Sequence, residues 1–197
     1  MISLRFLPRR LNCQISTIVH KIQARWKSKT IKPPNPIRIA ILDTGVDLTK
    51  EFFLMKAKRA KIRKIADFVP SPGRTAANKP SYVDVEVDAG GSVDTFGHGS
   101  LMAQFLMEAA PLAEVYIARV AADTDSLSLS ESKNAVTQAI KWASEQHRVD
   151  VISMSFGFAE TDPSIHGAIT SVQLARRNAA IFLASAGNSS SEREKCQ

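Results

Sequence analysis

The chain has 197 residues, of which 44% are hydrophobic and 23% are charged. This is the composition of one globular domain, and it excludes wholesale disorder. No apolar run approaches the ~20 residues of a membrane-spanning helix, and Cys13 and Cys196 lie at opposite ends without a zinc-binding or disulfide pattern. The net charge of +7 belongs to the first 42 residues, because residues 43–197 hold 17 Lys and Arg against 19 Asp and Glu. A nucleic-acid-binding face on the body is therefore not predicted.

Residues 1–36 form a basic leader that ends in a proline-rich linker. The leader has no acidic residue, and its apolar residues between positions 15 and 26 recur at helical spacing. A mitochondrial transit peptide has this pattern, whereas a secretory signal needs an apolar region that Arg and Pro interrupt here within the first ten residues. The alternative, which we favour, is a basic disordered extension or an upstream piece of a longer chain. The leader therefore favours an intracellular protein, with mitochondria as one destination.

Strands and helices alternate along the body, which begins at residue 37. Apolar and β-branched runs predict strands, and apolar residues at spacings of three and four predict helices. The predicted strands cover residues 37–42, 114–121, 149–155 and 180–185, and the predicted helices cover 100–109, 130–147 and 164–178. The basic run 56–64 is interpreted as a solvated helix end and loop, and residues 70–95 as a long loop with one strand near 82–87. This alternation predicts an α/β domain, a parallel sheet flanked by helices.

Polar residues follow the predicted strands at positions where chemistry is expected. Asp43 ends the first strand, Ser155-Phe156-Gly157 ends the strand at 149–155, and Asn188 follows the last strand. In an open parallel sheet, ligands bind at the carboxyl ends of the strands. His98 opens a helix between two glycines, which let the backbone approach a substrate closely.

Asp43 and His98 are complementary in their chemistry. A histidine that acts as a general base needs its second ring nitrogen held by a carboxylate, which fixes the tautomer and stabilises the imidazolium. A helix N-terminus alone disfavours the charged imidazole, and a nearby Asp43 would offset that effect. Asn188 carries a side-chain amide donor of the kind that an oxyanion hole uses. The sequence adds no cofactor motif and no metal-ligand cluster, so we expect neither.

Four segments in this order resemble motifs of the subtilisin-like serine peptidases, the subtilases. Residues 39–47 resemble the aspartate motif, 97–103 the histidine motif with Ser100 where Thr is usual, 151–157 the strand lining the substrate cleft, and 184–188 the oxyanion segment. The resemblance runs from about residue 37 to 190. It implies a subtilisin-like fold, a polypeptide substrate, Asp43 and His98 as catalytic residues, and Asn188 as the oxyanion donor. It further implies that Ser155, Phe156 and Gly157 bind the substrate.

One family motif is absent from these 197 residues. Subtilases carry their nucleophile in a Gly-Thr-Ser segment well after the oxyanion segment, and only nine residues follow Asn188 here. Ser189, Ser190 and Ser191 adjoin the oxyanion residue, so we do not expect them to face His98. The resemblance thus implies a partial peptidase domain over 37–197, incomplete at its C-terminus, with core faces left open.

Three interpretations of function remain at this point. The first is a subtilase serine endopeptidase represented by a truncated chain, and the second is an inactive subtilase-like protein that binds peptides or partners. The third is an aspartic peptidase, because Leu42-Asp43-Thr44-Gly45 also fits that signature. Aspartic peptidases need two carboxylates that share a proton, and the chain has one Asp-Thr-Gly, so this interpretation would require a dimer. It also leaves the Gly97-His98-Gly99 segment unexplained.

Overall fold

The computed structural model describes residues 35–69, 82–87, 94–123, 125–126, 130–158 and 161–185. The predictions for the leader, for most of the loop at 70–95, and for Asn188 with the serines after it lie outside these residues. Within them, no helix has the length and apolar character needed to cross a membrane.

Strands and helices alternate over most of the described chain, and two short helices and two consecutive strands interrupt the alternation between residues 51 and 87. The strands are β1 (Arg38–Asp43), β2 (Ile62–Asp67), β3 (Val83–Val85), β4 (Glu114–Arg119), β5 (Val151–Met154) and β6 (Ile181–Ala184). The helices are α1 (Glu51–Leu54), α2 (Lys56–Arg59), α3 (His98–Ala109), α4 (Ser130–Lys141), continued by a π-helical turn over Trp142–Gln146, and α5 (Pro163–Ala175).

All six strands form one sheet in the order β3-β2-β4-β1-β5-β6. In this spatial order, each pair of neighbours from β2 through β4, β1 and β5 to β6 is parallel. Strand β3 pairs with β2 in the antiparallel direction. The predicted α/β class is therefore confirmed, and the sheet gains one short antiparallel strand at its edge. Short antiparallel edge strands on otherwise parallel sheets are common in α/β proteins.

The interpretation of residues 56–64 as a helix end and loop was wrong in its second half. Helix α2 ends at Arg59, and β2 begins at Ile62 between β3 and β4. Its register shifts between Ile62 and Lys64, which places exposed Arg63 and Lys64 side by side and breaks the alternation by which a strand is recognised. The buried positions that follow, Ile65 and Ala66, are too few to signal a strand on their own.

The sheet is covered on both faces, which explains the continuous apolar sequence of β1. On one face, Ala40 and Leu42 pack among the buried residues of α4 and α5. On the other face, Ile41 packs with α3 through Ala103 and Met107. Because side chains alternate along a strand, Asp43 continues the row of Ile41 on the α3 face.

Two helix starts show how the local sequence fixes the elements. Asp162 caps α5 by accepting hydrogen bonds from the backbone nitrogens of Ser164 and Ile165, at 2.9 and 3.1 Å, and Pro163 takes the first helical position. Helix α3 has no such side-chain cap at its N-cap residue, Gly97, which adopts a left-handed φ of 94°. Glycine adopts this conformation without a steric penalty, and it directs the chain into His98 as the first helical residue.

Candidate active site

The carboxyl ends of five strands meet at one edge of the sheet. Asp43 pairs in register with Arg119 of β4, while Leu42 pairs with Met154 of β5. Met154 in turn pairs with Ala184 of β6. The residue after each of these strands therefore leaves the sheet beside Asp43, which is where the sequence predicts a site.

Asp43 and His98, 55 positions apart in sequence, are in direct contact at this edge. The Nδ1 nitrogen of His98 donates to Oδ1 of Asp43 at 2.8 Å, and the backbone nitrogen of Thr44 donates to the same oxygen at 2.8 Å. The Asp43 side chain is 1% exposed and that of His98 is 31% exposed. The buried carboxylate thus holds one ring nitrogen while the ring reaches the surface, so Nε2 is the nitrogen available to exchange a proton.

A second carboxylate, Asp94, fixes the geometry around this pair. Its Oδ1 accepts hydrogen bonds from the Thr44 hydroxyl at 2.8 Å and the Gly97 nitrogen at 2.7 Å. Its Oδ2 accepts from the nitrogen and hydroxyl of Ser100, at 2.7 and 2.5 Å. Burial raises the pKa of Asp94, but the hydrogen bonds from Ser100, Gly97 and Thr44 outweigh it and hold that pKa below its ordinary value.

The network continues into the turn after β1. The Thr44 hydroxyl accepts a hydrogen bond from the Gly99 nitrogen at 2.9 Å, and the Ser100 hydroxyl accepts one from the Asp47 nitrogen at 2.8 Å. Asp94 and these two hydroxyls therefore tie the first turn of α3 to the residues around Asp43. Because three backbone nitrogens at the start of α3 find side-chain partners here, the helix start is fixed without a capping side chain at Gly97.

Asp94 was not predicted from the sequence, although a signal for it existed. An Asp that precedes a helix start by a few residues and accepts from a backbone nitrogen two or three positions later is typical of a cap, and Asp94 stands three positions before Gly97. The Pro- and Gly-rich context of residues 70–95 concealed it, since this context predicts only a long loop.

The three predicted substrate-binding residues follow β5. Ser155 is half-buried, Phe156 is buried and packs edge-on against Phe158 at 5.8 Å between ring centroids, and Gly157 is exposed. The Ser185 nitrogen bonds the Met154 carbonyl at 3.1 Å, which keeps the segment after β6 beside them. The structure thus brings these residues to the edge that carries Asp43 and His98. Asn188 lies three residues past the last described position.

A charged pair adjoins the site on its other side. Arg119 of β4 contacts Asp67 of β2 at 3.1 Å between Nη1 and Oδ2, and both side chains are about 15% exposed, at 16 and 14%. Arg119 pairs in register with both Asp67 and Asp43, so the three side chains stand in one row on the same face of the sheet.

The fold and this arrangement match a known family. The model of the subtilase family matches residues 35–197, which is most of the chain, and the chain therefore belongs to the subtilase family. The subtilisin-like protease het-Q2 of Podospora anserina is 30% identical over 144 residues, which cover 62% of this chain and 37% of that protein.

A solved structure supports the fold independently. The S41 psychrophilic protease superposes with a TM-score of 0.52 at 19% identity, covering 85% of this chain and 52% of its own. At that identity the likeness concerns the fold alone. The chain spans about a third of the length of the fungal relative and about half of the length of the solved structure.

Proposed function

We propose that this chain carries the general base and the orienting carboxylate of a subtilase serine endopeptidase. The observation that carries the proposal is the 2.8 Å contact between buried Asp43 and half-exposed His98 at the carboxyl edge of the sheet. In this role Asp43 keeps the proton on Nδ1, so that Nε2 accepts the proton of an attacking hydroxyl. Asp43 then stabilises the imidazolium that forms.

The substrate that fits this site is an extended polypeptide. Ser155, Phe156 and Gly157 leave β5 beside Asp43, and exposed Gly157 offers backbone groups to which a peptide can add as a further strand. A β-carbon on Gly157 would lie 3.3 Å from the Ser185 carbonyl oxygen, so a side chain there would crowd the segment after β6. We assign the amide of Asn188 to the oxyanion on the basis of the family resemblance.

Whether this function includes cutting peptides or only binding them depends on the nucleophile. The 197 residues contain no Gly-Thr-Ser segment. Without a hydroxyl opposite Nε2 no acyl-enzyme forms, so we expect this polypeptide alone to hold the base and to lack turnover. The second candidate function is a subtilase-like protein that binds peptides in the cleft beside Gly157 without cutting them.

The test measures peptide hydrolysis that a serine-directed phosphonate abolishes. The 197-residue protein is expected to show none, and a chain extended through a Gly-Thr-Ser segment by the C-terminal part of a subtilase domain is expected to show it. His98→Ala in the extended chain should lower kcat/KM by roughly 10⁴–10⁶-fold, because triad residues act as a unit. His166→Ala, at an exposed position on α5, is the matched control and should leave the rate unchanged.

Two results would overturn parts of the proposal. An extended chain that binds peptide but never hydrolyses it would establish the binding function instead. Phosphonate-sensitive turnover by the unextended chain, lost in His98→Ala, would show that one of Ser189, Ser190 and Ser191 serves as the nucleophile.

A further inference from the structure

A cavity of about 380 Å³ opens at the amino edge of the sheet, opposite the edge that carries Asp43 and His98. Its lining includes Arg38, the first residue of β1, Arg148, three residues before β5, and Arg176, the residue after α5. The fold therefore brings three guanidinium groups from separate segments of the chain to one cavity. Pockets that bind small molecules have this size.

The two carboxylates that line the cavity are already engaged by arginines. Glu114 contacts Nε of Arg38 at 3.6 Å and Nη2 of Arg63 at 2.7 Å. Asp150 accepts hydrogen bonds from the backbone nitrogen of Arg38 at 2.9 Å and from Nη2 of Arg176 at 3.3 Å. Neither carboxylate is therefore left over to neutralise a further cation.

Arg148 is that further cation, and its neighbours in the chain are held in place. Nη1 of Arg38 donates to the His147 carbonyl at 3.2 Å, and Nη1 of Arg176 donates to the Val149 carbonyl at 3.0 Å. Arg148 lies between these two anchored carbonyls, is exposed and has a left-handed φ of 49°. It forms no ion pair with another described residue.

The charge at this edge calls for an anion. Counting Arg63, four arginines share two carboxylates, which leaves two positive charges in excess. Guanidinium groups stay charged at every physiological pH, so the excess cannot be relieved by loss of a proton. A carboxylate ligand would supply one negative charge, whereas a phosphate group supplies up to two, and its oxygens match the fork of donors on arginine.

We propose that this cavity binds a phosphate group, as inorganic phosphate or as part of a small phosphomonoester, on the guanidinium groups of Arg38, Arg148 and Arg176. The site and the pair of Asp43 and His98 lie at opposite edges of the sheet, so the proposal does not depend on the proposed peptidase function. The sequence alone does not reveal the site, because its arginines are scattered along the chain.

The test is isothermal titration calorimetry of the 197-residue protein with inorganic phosphate and, separately, with glycerol 3-phosphate, at constant ionic strength set by sodium chloride. Saturable binding of at least one of the two is expected. Tighter binding of glycerol 3-phosphate would assign the cavity to a phosphomonoester, and tighter binding of phosphate would assign it to the free ion. Either order supports a phosphate site.

Arg148→Asn is expected to weaken this binding about tenfold or more, because charge-assisted hydrogen bonds to the ligand are lost. Asparagine adopts a left-handed φ readily, so the turn is kept. Arg177→Asn is the matched control: Arg177 has the same φ of 49° and is exposed, but it does not line the cavity. Its loss should leave the affinity nearly unchanged. The basic leader is present in every variant, so its own attraction for anions cancels.

Equal losses of affinity in Arg148→Asn and Arg177→Asn would overturn the proposal, because they would show diffuse attraction to surface charge. Heats that never saturate with either ligand would overturn it too. If Arg148→Asn does not fold, Arg38→Gln decides instead, since it removes another guanidinium of the same cavity and an unchanged affinity there contradicts the site. No peptide turnover is involved, so a failed peptidase assay and a failed phosphate titration give separate results.

Discussion

The backbone of Gly99 lies directly against the backbone of Gly45. A β-carbon on Gly99 would overlap the carbonyl oxygen of Gly45 and would lie 2.8 Å from its nitrogen. Helix α3 and the turn after β1 thus approach each other without an intervening side chain. This approach brings the His98 ring within reach of Asp43.

Gly99→Ala is therefore expected to destabilise the protein by about 1–3 kcal/mol, because the contact is with backbone that cannot rotate away. Denaturant unfolding measures the change. Gly167→Ala on α5 is the matched control, since nothing lies within 4 Å of a β-carbon there. At that exposed helical position alanine should stabilise the protein by about 0.5–1 kcal/mol. An unchanged stability for Gly99→Ala would contradict the close approach.

Thr44→Val should cost about 1–3 kcal/mol, because it leaves the Gly99 nitrogen without its acceptor and Asp94 without one of its donors. Thr44→Ser keeps the hydroxyl and is the control, with a much smaller loss. Both free energies of unfolding come from urea titrations at neutral pH. Equal losses in the two variants would mean that the methyl group, and not the hydroxyl, is what the site requires.

Asp94→Asn is expected to make the free energy of unfolding depend less on pH under acidic conditions. The folded-state pKa of Asp94 is lowered by its hydrogen bonds, so its contribution is complete above the unfolded-state value of about 3.9 and is lost as the pH falls through the folded-state value. The variant should be less stable at pH 7 and less sensitive to acid below about pH 4. Glu145→Gln, an exposed position, should reproduce the unaltered curve.

His147 is expected to affect the stability of the protein at a higher pH than Asp94 does. Its ring packs on Tyr116 and Trp142 at centroid distances of 4.9 and 4.6 Å, and burial, reinforced by the charge of Lys64, lowers the pKa of His147. A lowered folded-state value means that its stabilisation is complete above about pH 6.5 and is lost as the pH falls below that value.

His147→Phe keeps an aromatic ring on Tyr116 and Trp142 and removes the titration. Unfolding midpoints measured between pH 5 and 7 should then vary less than in the unaltered protein. His166→Phe, on the exposed face of α5, should keep the original pH dependence. If the two variants show the same pH dependence of the unfolding midpoint, that dependence arises from groups other than His147.

The sequence predicts the parts of this fold whose signals are local. The apolar run of β1 and the helical spacing of apolar residues in α5 are of this kind, and both elements appear in the structure. The bulge in β2 depends on pairing with β4, and the hydrogen bond from the Thr44 hydroxyl to Asp94 spans 50 positions, so local spacing reveals neither of them. The contact between Asp43 and His98 was predicted from chemistry, since a base needs an orienting carboxylate.

Strand β6 has a practical consequence for work on this polypeptide. It is the last strand at its end of the described sheet, and Ile181 and Leu183 on it are 54 and 53% exposed. An apolar strand at the outer edge of the described sheet is a template for pairing with another molecule, so self-association should increase steeply as the protein is concentrated. A lysine at position 183 would act as a gatekeeper against this self-association. Light scattering of Leu183→Lys beside the unaltered protein would then define the concentrations at which titrations and assays remain free of aggregates.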